Sequence, residues 1–173
     1  QEIYQIVREN RLLVYFHLGE GHKDNFERVL EQNPDINFIW HGDQLSMDEI
    51  EEIVREHPNA YYGIDAFWGG DRDLFLMFVG ESKDEYLKTL DQRFNKVLER
   101  AVRDWKGLVE KYPDKFLWDI DRGDAVWNYD LDVGQAQTKL ARAFIGRLAP
   151  EVRGKIAYQN AQRLIGASGS SEN

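Results

Sequence analysis

The 173-residue chain is 42% hydrophobic and 31% charged, the balance of a globular protein large enough to bury one good core. Acidic residues outnumber basic ones 31 to 22, and no Lys/Arg stripe reverses that sign locally, so the composition argues against a nucleic-acid partner. Cysteine is absent, which removes disulfides and thiolate metal sites and leaves the compartment undetermined. The longest apolar run, Leu74 to Val79, falls far short of the roughly 18 residues a membrane span needs.

Gln1 stands directly against the amphipathic stretch Ile3-Tyr4-Gln5-Ile6-Val7, a start that reads as a cut through a larger protein. Arg11 to Leu18 then reads as a strand. Its centre, Leu12-Leu13-Val14-Tyr15-Phe16, is nearly all apolar, which predicts burial on both faces. Asp24 with Glu27 marks a helix start, Phe26, Val29 and Leu30 give that helix one apolar face, and Asn33-Pro34 stops it. The unit repeats. Ile36 to Trp40 is a second buried strand, Ser46 with Glu49 is a capping box, and His57-Pro58 ends the helix that follows. His57 suits that place, because a cation at a helix carboxyl end complements the dipole.

Ala60 to Ile64 is a third strand, followed by a long connection from Asp65 to about Lys83. Long connections inside compact domains are usually functional. Leu87, Leu90, Phe94, Val97, Ala101, Trp105 and Leu108 step by three and four through a long helix, and Phe116-Leu117-Trp118 is a fourth strand. Helices over about Asp130 to Leu148 and Glu151 to Ile165 complete residues 1–166; the Ser/Gly-rich end, 167–173, reads as a disordered tail. Alternating strands and helices predict parallel strands with right-handed crossovers, as in a small open sheet or half of an eight-stranded barrel. A full barrel takes about 250 residues.

Parallel strands present ligand-binding groups at their carboxyl ends. There the four strands carry His17, His41, Asp65 and Asp121. Neighbouring strands lie about 4.8 Å apart, so these groups can converge. Imidazole and carboxylate suit a divalent ion such as zinc, with manganese the alternative, and an open position on the ion would activate water. Asp65 reads equally as a loop cap or a substrate contact. His22 faces either the site or water. Trp40, Trp118 and Trp127 read as packing before stacking platforms, with the wall of a pocket the alternative for Trp127, which follows the Asp121 loop.

These segments resemble the amidohydrolase-related family of metal-dependent hydrolases, in its second half. Val14-Tyr15-Phe16-His17 is similar to the family's fifth strand and Phe38-Ile39-Trp40-His41-Gly42 to its sixth. Tyr112 to Asp121 is similar to the stretch leading to the eighth-strand Asp. Ala149-Pro150-Glu151 and Lys155 to Leu164 are similar to the closing helix. The resemblance implies half of a TIM (β/α)8 barrel, strands five to eight with flanking helices. It assigns His17 and Asp121 as metal ligands, and His41 and Asp121 to catalysis. The activity implied is hydrolysis of a small organic substrate by metal-activated water, or decarboxylation in some relatives.

Two departures stand out. Asp119 occupies a position where the family usually has Gly, and there it either supports the site from behind or disturbs it. The family's first-strand His-x-His pair has no counterpart in this sequence. Hence the chain alone is expected to bind metal poorly and to be inactive. Its partner would be the missing amino-terminal half or a second copy. The alternative is a non-catalytic binding module using Phe67, Trp68, Phe75 and Phe78 of the long connection.

Overall fold

The computed structural model describes residues 2–42, 45–64, 82–120 and 129–169, with side chains to residue 166. In chain order these form α1 (Glu2–Glu9), β1 (Val14–His17), α2 (Lys23–Gln32), β2 (Phe38–His41), α3 (Met47–Glu56) and β3 (Ala60–Ile64). They continue with α4 (Lys83–Lys111), β4 (Phe116–Trp118), α5 (Leu131–Gly146), α6 (Pro150–Gly154), a π-helical turn (Lys155–Gln159) and α7 (Asn160–Gly169). Asp65, Asp121, Trp127 and the aromatic residues of the long connection lie outside the described residues. None of the described helices is long and apolar enough to cross a membrane.

The four strands make one parallel sheet whose spatial order, β1-β2-β3-β4, is the chain order. The fold class is therefore α/β, as the alternation predicts. Strand periodicity divides the side chains cleanly. Even-numbered residues, including Phe38, Trp40, Ala60, Tyr62, Ile64 and Phe116, join the apolar faces of α1 to α6 in the main core. Trp40 sits edge-on between Phe26, at 5.2 Å, and Tyr62, at 5.1 Å, deep in that layer.

The helix starts follow local chemistry. Ser46 and Glu49 close the expected capping box on α3. Ser82 accepts from the Glu85 amide at the head of α4. For α2 the expectation shifts. The helix opens at Lys23 behind His22, and Asp24 lies in its first turn instead of capping it. Lys23 is held there by ion pairs to Glu27 and Glu52, at 3.3 and 2.7 Å.

The odd-numbered face is smaller. Ile39, Tyr61 and Leu117 are buried there under Leu164 of α7, with Leu13 and Ala161 against them. The last helix thus turns onto this face. Asn160 fixes the turn by donating from Nδ2 to the carbonyls of Pro113 and Phe116, both at 2.8 Å. Arg163 adds a bond to the Asp114 carbonyl at 2.9 Å. The segment that leads there is not the uninterrupted helix its period suggests. It widens into the π turn, where the Ala157 carbonyl accepts from Trp118 Nε1 at 3.2 Å. Helix α7 runs to Gly169, so the first three residues of the supposed tail are helical.

One expectation fails at the sheet's end. The apolar run 12–16 implies burial on both faces, yet among the described residues β1 is an end strand, and Tyr15 remains 48% exposed and Leu12 51%. Composition records how apolar a strand is and cannot say where in the sheet it stands.

Candidate active site

The odd face has an apolar floor and a polar rim. Ile39, Tyr61, Leu117 and Leu164 form the floor toward the strands' amino ends. His17 and His41 stand at the carboxyl ends of β1 and β2 and Asp119 follows β4, while Tyr15 and Gly63 are level in register with Ile39 and Leu117. His17 and His41 are direct partners in the β1–β2 register, and their rings meet edge to face with centroids 4.8 Å apart. His41 is buried, while His17 is open to solvent. Glycine at 42, with φ of 102°, turns the chain away immediately after His41; Tyr62 ties that turn down by donating to the Gly42 carbonyl at 2.6 Å.

Tyr15 lies flat on the imidazole of His41, with centroids 5.1 Å apart and planes 21° from parallel. Its hydroxyl donates to Oδ2 of Asp119. That bond reports the shape of the sheet. Tyr15 belongs to β1 and Asp119 follows β4, at opposite ends of the strand order. Three spacings on a flat sheet come to ~14 Å, and same-face side chains on a flat sheet stand parallel. Contact therefore requires the sheet to curl, with the odd face concave.

Gly63 of β3 lies between these groups. A methyl group there would lie 3.2 Å from Asp119 Oδ2 and 3.8 Å from Cβ of His41. The other oxygen of Asp119 accepts from the Ile120 amide at 2.7 Å, which fixes the carboxylate. The carboxylate of Asp119 is thus engaged by both Tyr15 and the Ile120 amide.

The sequence reading thus finds His17 and His41 on one rim, side by side. It misses Tyr15 and Gly63. Strand alternation places Tyr15 on the face of His17 and so carried a signal, whereas Gly63 carried none. His22 is not part of this group. It lines a groove between α1, β1 and α2, and its Nδ1 lies 3.2 Å from Asn25 Nδ2. His57 caps α3 as expected, with Nε2 3.9 Å from a Glu27 carboxylate oxygen.

The chain matches no protein-family model, no curated protein and no solved structure.

In kind, the donors suit a borderline divalent ion, since neutral imidazole and carboxylate are zinc's usual nitrogen and oxygen ligands. In number they fall short. Among the described residues no group of three or more His, Cys, Asp and Glu is placed to hold an ion. A four-coordinate site would need Asp121 and donors from elsewhere.

Proposed function

We propose that this chain is the carboxyl-terminal half of a TIM (β/α)8 barrel of the amidohydrolase type, a metal-dependent hydrolase of which it supplies part of the site. The observation that carries the reading is the pairing of His17 with His41 at the carboxyl rim of a concave sheet face. The topology favours a barrel over a doubly wound sheet. In a doubly wound sheet the strand order reverses and crossover helices cover both faces. Here the order is sequential and α2, α3 and α4 all pack on the even face.

In this reading His17 and Asp121 would hold the ion, with zinc or manganese the candidates. Bound there, it would supply activated water. His41 would donate from a ring nitrogen to the carbonyl of a small organic substrate, and the carboxylate of Asp121 would serve as proton acceptor. Burial of His41 strengthens its hydrogen bond to substrate, because water competes less for it. Tyr15 and the apolar floor keep solvent from the lower side of the site. The exposed Ile3, Ile6, Leu12 and Tyr15 beside the end strand give the missing half, or a second copy, a surface to cover.

Equilibrium dialysis against zinc or manganese, followed by elemental analysis, tests the reading. Weak retention that disappears in His17→Ala supports it. Retention unaffected by His17→Ala, or none at millimolar metal, refutes it.

A further inference from the structure

Tyr15 makes two contacts that belong together. Its ring covers one face of the His41 imidazole, and its hydroxyl is held by Asp119 from the far end of the strand order. Asp119 is itself fixed, through Oδ1, by the Ile120 amide, and it lies against Gly63, where a methyl group would come within 3.2 Å of Oδ2. A half-exposed tyrosine on an end strand would otherwise turn freely about χ1 and χ2. A half-exposed carboxylate would prefer water unless a donor met it.

We propose that Tyr15 is a positioning residue for His41, acting as a flat stop clamped by Asp119 across the concave face, with Gly63 providing the space for the clamp. The inference rests on the reading of His17 and His41 as the site. The stop fixes the plane of the His41 ring, and so the direction in which its nitrogens face His17 and an incoming ligand. Supporting groups of this kind typically change metal affinity or activity by 10- to 100-fold when removed. The Asp119 bond crosses from the last strand to the first, so it also couples the orientation of His41 to the curl of the sheet.

The test uses the whole chain and four proteins: wild type, Tyr15→Phe, Asp119→Ala and Asp119→Asn. Each is first checked for native circular dichroism and melting. The chain has four histidines, so the His41 ring signals in a proton–nitrogen spectrum are assigned through His41→Gln. A stacked aromatic ring displaces them from free-imidazole positions. We expect that displacement to shrink in Tyr15→Phe and in Asp119→Ala. It should persist in Asp119→Asn, whose amide can still bond the phenol. Zinc affinity should fall about tenfold in the first two and stay within about twofold of wild type in the third.

Unchanged His41 signals in every variant would overturn the proposal. So would an Asp119→Asn that behaves like Asp119→Ala, because charge and not the bond would then be the cause. Should Asp119→Ala fail to fold, Tyr15→Phe, which removes a single oxygen from a half-exposed ring, carries the comparison. If wild type binds no zinc, the hydrolase reading fails, and the His41 signals alone decide whether Tyr15 positions the ring.

Discussion

Replacing Gly63 by alanine puts one methyl group into the tightest point of the candidate site. The new carbon would stand 3.2 Å from Asp119 Oδ2, 3.6 Å from Asp119 Cβ and 3.8 Å from His41 Cβ. The last two are ordinary contacts; the first is short by a few tenths of an ångström. Overpacking of this kind costs about 1–3 kcal/mol. Asp119 can rotate away, but it then gives up the Tyr15 bond, worth about 1 kcal/mol. Against this, alanine removes freedom from the unfolded chain, a gain of about 0.4–1 kcal/mol where φ is compatible. The net expectation is a loss of about 1–2 kcal/mol, or a melting temperature lower by ~2–8 °C for a chain of this size. In an Asp119→Gly background the clash is gone, and the same substitution should be neutral or slightly stabilising. Thermal and urea denaturation of the four proteins yields the coupling energy directly, expected at about 2 kcal/mol. Equal effects in both backgrounds, or a Gly63→Ala that stabilises the wild type, would refute the close approach of β3 to Asp119.

The other predictions concern stability and assembly. Asn59, 5% exposed, shares the two hydrogens of Nδ2 among the carbonyls of Leu30, Asn33 and Ile36 at 3.0–3.2 Å, so Asn59→Ala should cost about 1–3 kcal/mol in urea denaturation. Asn59→Asp should cost more, since a carboxylate would face three acceptors; the reverse order would refute this account. Burial, with Arg163 adding to it, pushes Lys115 down to about 8. Between that pH and its ordinary value near 10.5 the unfolded chain holds more protons, so this group's contribution to stability rises with pH there and should vanish in Lys115→Met. Burial pushes Tyr86 up to about 12, partly offset by its bond to Gln137. Above about pH 10 the unfolded chain loses this proton first, so stability falls; Tyr86→Phe should remove the fall in alkaline denaturation curves. Ile3 and Ile6, 66% and 54% exposed beside the end strand, should drive association visible by light scattering, with Ile3→Lys and Ile6→Lys shifting it toward monomer. A wild type that is monomeric at high concentration would count against this.

Sequence by itself determined the order and type of elements, because alternating apolar runs and three-and-four spacing are local signals that burial enforces. The capping box at Ser46, the third strand from Ala60 to Ile64 and the fourth from Phe116 to Trp118 are legible for that reason. Sequence also determined that His17 and His41 belong to one end of neighbouring parallel strands, since chain direction and strand period leave little alternative. Only the tertiary structure decided that the sheet curls until Tyr15 reaches Asp119, two residues separated by 104 positions and three strand spacings. Curvature is the sum of many small twists and of helix packing on one side, and no short stretch of sequence encodes it. Tertiary structure likewise decided that β1 stands at the end of the sheet among the described residues, that α7 folds onto the concave face and that His22 lies in a separate groove. Each of these depends on what packs next to a segment, which residues distant in the chain supply.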